Sequence, residues 1–293
     1  MFSISTYAET GYAEANERTV ISYQGVEVQD GVITYNLPPV SNKSVWAHER
    51  LSTVVYNKTL SDPALVMNGI TYLPLRAVVN ALGLSASYNS SSRTMTVSGG
   101  GLYLTATDGG FVTYANDRPL FSFSPNVIMS NGRMYIPAST LTKALGMTFT
   151  VSSDTVVVDG ALRPLLSASK FYREDEVFWL ARIITAEAGG ESLLGQIAVG
   201  DVILNRVRSE IFPNTIYGVI FDRKWGIQFS PVANGTIYNT PSYTSILAAK
   251  ICLEGTSLSD DAMYFLNPAI STSSWIVNNR PYAYTIGNHY FFL

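Results

Sequence analysis

The sequence predicts an α+β protein in two parts, a strand-rich N-terminal half built from a repeated unit and a mainly α-helical C-terminal half. Three observations carry this expectation. A motif running from Asn-Gly to Ala-Leu-Gly occurs twice, 63 residues apart. Residues 174–209 place apolar side chains at helical spacing with a single interruption, Gly189-Gly190. Between the halves, 159–175 (DGALRPLLSASKFYRED) has lost the alternation of the first and not yet taken up the spacing of the second, so a linker is expected at 163–174.

The repeat compares MNGITYLPLRAVVNALGL (67–84) with SNGRMYIPASTLTKALGM (130–147). Asn68, Gly69, Tyr72, Pro74, Ala81, Leu82 and Gly83 recur as Asn131, Gly132, Tyr135, Pro137, Ala144, Leu145 and Gly146. Each copy opens on Asn-Gly, which favours a two-residue hairpin turn because both central positions of that turn need positive φ. A short strand follows, then a proline at a helix start. The helix closes at Gly83 or Gly146, where glycine suits a left-handed cap. Beyond each glycine an alternating segment, SASYNSSSRTMTVSG or TFTVSSDTVVVDG, predicts another hairpin. No polar constellation in this half suggests chemistry, so it is expected to bind or position, or to be purely structural. Residues 1–19 are expected to form a loosely held extension.

In the C-terminal half, Leu180, Ile183, Ile184 and Glu187 recur three or four positions apart and share one helical face. Arg182 points about 140° away from Glu187. A carboxyl at the edge of an apolar face is partly desolvated, and its pKa rises. It can then act as a general acid, which makes Glu187 the candidate catalytic residue. The competing reading is an ordinary helical hairpin with a glutamate before its glycines. Glu191 is expected to open the second helix, where the N-terminal dipole favours a negative charge. It is a helix-start residue first and a possible secondary acid second.

Further along, RVRSEIFPNTIYGVIFD predicts a loop and a short helix, and KWGIQFSPVANGTIYNTP a polar and aromatic binding surface with too little periodicity for a long element. SYTSILAAKICLEG predicts an amphipathic helix ending at Gly255, and the last residues predict short aromatic strands or loops. Gln228 and Ser230 flank Phe229 in a loop, where they could hold the substituents of a sugar or brace the loop itself. Tyr264 could bond the Glu187 carboxyl or pack beneath it. His289 has two open readings, cleft lining and buried structural residue. Trp275 is expected in the core more than as a sugar platform, and Asn205 as a brace of the helical pair.

Composition narrows the class. Of 293 residues, 47% are hydrophobic and 14% charged, as in a globular chain. A net charge of -3 without a basic patch argues against a nucleic-acid partner. No apolar run reaches the ~18 residues of a transmembrane helix. The opening residues lack the basic start and apolar centre of a signal peptide, so the expectation is a cytosolic chain or one whose leader has been removed. Cys252, the single cysteine, is expected as a small core residue. With only His48 and His289 besides, no copper or zinc site and no cofactor is expected; an all-oxygen calcium site stays open.

Two resemblances can be drawn from these residues. The NG-x3-(L/I)P-x6-ALG pattern resembles the copper amine oxidase N-terminal-like domain of Gram-positive secreted and wall proteins, over 20–162; the name does not imply copper. From about Val177 to the end, in an expected domain of 175–293, LARIITAEAGGE (180–191), GQIAVGDVILNRV (195–207), FPNTI (212–216), QFSPVANG (228–235), Tyr264, Asn267-Pro268, Trp275 and IGNHYF (286–291) resemble the SleB and CwlJ type cell wall hydrolases. Gly189 departs from that pattern, where arginine is frequent. The resemblance implies a lysozyme-like helical fold, peptidoglycan glycan strands as substrate, and Glu187 as the acid of a lytic transglycosylase. Gln228, Phe229, Ser230, Tyr264 and His289 are the expected substrate-binding set, read from their own positions in the sequence. The resemblance also implies a secreted protein of the cell wall or spore, whose first domain grips the wall. A hydrolytic muramidase and a non-catalytic wall-binding protein are the alternatives.

Overall fold

A computed structural model describes residues 49–122, 127–271 and 274–293, with the backbone of four strands before them. Those four are Ser3–Tyr7 (β1) paired antiparallel with Arg18–Ser22 (β2), and Glu27–Gln29 (β3) paired with Val32–Thr34 (β4). Most of the expected 1–19 extension, and His48, lie outside the described residues. The chain divides into two compact units, one of residues 38–171 and one built on 172–293.

The first unit is rich in strands. Glu49–Val55 (β5), Lys58–Thr59 (β6), Ala64–Met67 (β7) and Ile70–Pro74 (β8) lead into helix Leu75–Ala81 (α1). Ser85–Asn89 (β9), Thr94–Gly99 (β10), Leu102–Thr107 (β11), Val112–Ala115 (β12) and Arg118–Phe121 (β13) form one antiparallel meander. Ile128–Ser130 (β14) and Arg133–Pro137 (β15) lead into helix Ala138–Leu145 (α2), followed by Thr148–Val151 (β16) and Thr155–Asp159 (β17). The second sheet runs β14-β15-β8-β7-β5-β17-β16, with β6 on β5. Leu73, Val79, Val97, Leu104, Ile136, Leu141 and Val158 close one apolar core between the sheets and the two helices.

The two repeat copies pair with each other. In the antiparallel ladder of β8 and β15, Leu73 faces Ile136, Tyr72 faces Pro137 and Pro74 faces Tyr135. Each residue of one copy thus meets the partner that its own counterpart meets in the other. Both turns take the expected form, with φ of 53° and 75° at Asn68-Gly69 and 48° and 73° at Asn131-Gly132. The stretch expected as a linker is bonded into this unit as far as Phe171. Arg163 N–H donates to Leu145 O at 2.9 Å, Ala168 N–H donates to Asn116 O at 2.9 Å, and Arg118 lies 3.3 Å above the Phe171 ring. Backbone groups left beside a core need partners, and these found them here.

The second unit is helical. Glu174–Ala188 (α4) follows a short helix Ala168–Phe171 (α3) that closes the first unit. Leu193–Arg208 (α5), Ile216–Ile220 (α6), Ser230–Asn234 (α7) and Tyr243–Leu253 (α8) come next. Tyr264–Leu266 (β18), Trp275–Asn279 (α9), Tyr282–Ile286 (β19) and His289–Phe292 (β20) end the chain, with the strands in the order β18-β20-β19. Helices α4, α5 and α8 pack mutually around Leu180, Ile183, Ile184, Ile197, Val202, Ala248 and Ile251, all fully buried. Gly200 sits where they meet. A Cβ there would stand 2.7 Å from Cys252 Sγ and 3.0 Å from Ile184 Cδ1, so only glycine lets the three approach. Helix α7, absent from the sequence reading, is one turn long, with a proline in its first turn and Gly235 at φ 84° after it. A single turn is too short to show a helical period.

Candidate functional site

Glu187 lies one residue from the C-terminal end of α4. Its half-buried carboxyl takes no hydrogen bond or ion pair among the described residues. Burial pushes its pKa up to about 7, and the charge of Arg206 holds it back from rising further. The two glycines behave differently from a left-handed cap: Gly189 keeps helical angles, φ -60° and ψ -23°. Beside Gly190 the space is open, with no atom within 4 Å of where a Cβ would stand.

Arg206, on α5, is one of two residues that sequence reasoning missed. It is buried, its Nε donates to Met263 O at 2.7 Å, and its guanidinium lies 4.8 Å from the Phe212 ring, 5.2 Å from Phe229 and 5.3 Å from Tyr264. Burial lowers its pKa to about 10, opposed by Tyr264, Asp222 and Glu187, so it stays charged at neutral pH. A signal was present: Arg206 ends the largely apolar run IAVGDVILNR, and in the fold every residue from Leu194 to Arg206 is buried. A cation there needs partners. Asp222 was also missed. Its Oδ1 accepts from Lys224 N–H at 2.9 Å, while its Oδ2 is buried without a partner among the described residues.

Around Arg206 the fold gathers Glu187, Phe229 and Tyr264. Tyr264, half-buried, also has Arg280 4.5 Å from its ring and Trp275 edge-on beside it. Trp275 is 52% exposed, which corrects the expectation of a core residue; α9 rests on the surface beside β18. Phe229 is buried between Arg206 and Phe265, so it supports the site from behind and does not present its ring to a ligand. Gln228 Nε2 donates to Gly226 O at 3.1 Å and braces its loop, and Ser230 stands exposed at the start of α7.

The second acid goes elsewhere. Glu191 does not open α5: Ser192 is the N-cap, its hydroxyl accepting from Gly195 N–H at 3.3 Å. Glu191 is instead tied to the turn between β19 and β20, where Asn288 Nδ2 donates to Oε1 at 2.9 Å and Asn288 N–H to Oε2 at 3.2 Å. His289 is buried, with Nδ1 3.6 Å from the same carboxylate; burial lowers its pKa and Glu191 raises it. It therefore belongs to this tether and not to an open cleft. Asp201 is buried against α8 and accepts from Leu258 N–H at 2.5 Å. Asn205 braces the loop before β18 through Ser259 O at 2.7 Å and Ala262 O at 3.0 Å. Cys252 is fully buried, and burial raises its thiol pKa.

Burial also carries the Asp201 carboxyl up to about 7. Glu187 and Asp201 both titrate higher folded than unfolded, so the stability they contribute is whole below about pH 4 and is lost as pH rises through about 7. The expected result is a lower Tm at pH 8 than at pH 5, with a cost on the order of 3 kcal/mol per group. Asp201→Asn should flatten that slope by about half in thermal melts across this range.

Among the described residues, no three His, Cys, Asp or Glu side chains gather where a metal ion could sit, and no helix is long and apolar enough to cross a membrane. Residues 190–292 match the family described as Cell Wall Hydrolase, and residues 54–159 match the copper amine oxidase N-terminal domain. The chain belongs, through its second unit, to the cell wall hydrolase family. A spore cortex-lytic enzyme of Bacillus cereus is 42% identical over 120 residues, 41% of this chain and 45% of that protein. One of Bacillus subtilis is 39% identical over 120 residues, 41% of this chain and 38% of that protein. The chain thus spans less than half the length of the curated relatives it matches. The solved catalytic domain of the germination-specific lytic transglycosylase SleB from Bacillus anthracis is 41% identical, with 42% of this chain and 97% of that domain covered and a TM-score of 0.38.

Proposed function

We propose that the chain cleaves the glycosidic bonds of peptidoglycan by lytic transglycosylation, with Glu187 as the acid and then the base. The observation that supports this best is a lone carboxyl of pKa about 7, while the neighbouring acids Glu191 and Asp201 are tied to other parts of the fold. A glycosidase of the usual kind needs two carboxylates at a set separation. One suffices where the substrate supplies the rest.

The protonated Glu187 gives its proton to the glycosidic oxygen as the bond from C1 of N-acetylmuramic acid breaks. The acetamido carbonyl oxygen of that sugar closes on C1 and holds the positive charge. The carboxylate of Glu187, steadied by the Arg206 cation, then takes the proton of the C6 hydroxyl. O6 attacks C1, the acetamido group leaves, and a 1,6-anhydro ring forms with the acid regenerated. No water is consumed.

A second reading is favoured by one observation: Asp222, like Glu187, acts on Arg206, and a second carboxylate could direct water in a hydrolytic muramidase. Mass spectrometry of digested glycan strands separates the two. The expected products end in anhydro sugars, one water lighter than reducing ends; reducing ends alone would overturn transglycosylation. The wall or spore is the proposed place of action, with a secreted protein whose first unit holds the wall.

A further inference from the structure

We propose that the first unit carries a pocket for a carboxylate of a short peptide, and, resting on the function proposed above, that this peptide is the stem attached to the glycan strand. The pocket is a cavity of about 180 Å³ beside the Asn131-Gly132 turn, lined by Arg50, Asp62, Leu65, Asn131, Arg133 and Tyr135. At about 30 Å³ per water it has the volume of some six waters, enough for a carboxylate with a few carbons behind it.

Its charge is set by three side chains. Arg133 Nε donates to Asp62 Oδ1 at 2.5 Å, so that pair is neutral overall. Arg50, opposite Leu65 in the β5–β7 ladder, has no ion pair or hydrogen bond among the described residues. The cavity therefore has one positive charge in excess, on a planar fork that matches a carboxylate. Tyr135 is buried, and its hydroxyl takes no hydrogen bond among the described residues. Tyr135 lines the same cavity as Asp62, Arg133 and Arg50. Leu65 and the Tyr135 ring, packed with Tyr72, give an apolar floor for a small aliphatic side chain.

The repeat shows that folding does not require this cluster. Tyr72 is the counterpart of Tyr135, but the counterpart of Arg133 is Ile70, and the first copy makes the same turn and strand with it. The arginine stands in one copy only.

The test uses the full chain and isothermal titration with a synthetic stem tetrapeptide carrying free carboxylates, against the same peptide with every carboxyl amidated. Saturable binding is expected, weakened at least about tenfold by amidation and by Arg50→Glu, and a few-fold by Tyr135→Phe. Arg50 is exposed on β5, so its replacement should leave the circular dichroism spectrum unchanged. No saturable binding, equal binding of the amidated peptide, or equal binding by Arg50→Glu overturns the pocket. An unrelated L-peptide binding as tightly keeps the carboxylate site and overturns the stem peptide as its source. Cleavage is read separately on glycan strands stripped of peptide, where Arg50→Glu should match wild type. Peptide binding without any cleavage overturns the enzymatic reading alone.

Discussion

Glu187→Gln is expected to slow the release of fragments from purified peptidoglycan by about 10²–10⁴-fold while leaving the protein folded. The amide keeps the shape of the side chain but has no proton to give at neutral pH. Because the acid form starts the reaction, kcat/KM should fall as pH rises through about 7, the pKa that burial gives this carboxyl. Turbidity loss and chromatography of released fragments measure both effects. A variant that clears peptidoglycan as fast as wild type removes Glu187 from the chemistry. If neither protein releases fragments but both sediment with walls, the unit binds and does not cut.

Arg206→Ala should produce the second largest effect, a loss of about 3 kcal/mol in urea unfolding together with a shift of the alkaline limb to higher pH. The stability loss has a definite source. Met263 O loses its 2.7 Å donor, and the space among Phe212, Phe229 and Tyr264 empties. The pH shift follows from charge: Arg206 holds the Glu187 pKa down, so without it the carboxyl stays protonated longer. Arg206→Lys should restore the limb but only part of the stability, since an ammonium cannot lie flat among three rings. If the limb does not move in Arg206→Ala, the two groups are not coupled.

The parts of this fold that were legible from sequence are those written in short-range spacing. The Asn-Gly turns, the paired helices with their closing glycines and the hairpins after them all depend on residues within a turn or two of one another. So did the apolar face that carries Glu187. What spacing cannot show is which distant element comes to lie beside a residue. Arg206 is nineteen positions from Glu187, and only the packing of α4 on α5 makes it the carboxyl's counter-charge. The same holds for Glu191, whose place before a helix was legible but whose partner is 97 positions away. Phe229 is buried and Trp275 exposed for this reason too. Aromatic residues in polar loops look alike until a neighbouring sheet buries one and leaves the other in water.

The bond between Glu191 and the Asn288 turn has a consequence for the order in which the molecule is made. Synthesis delivers both helices of the broken corner long before it delivers the hairpin that pins the residue between them. A nascent chain still on the ribosome would have its acid but not its brace. The corner between α4 and α5 would set only once the turn that carries Asn288 has been made.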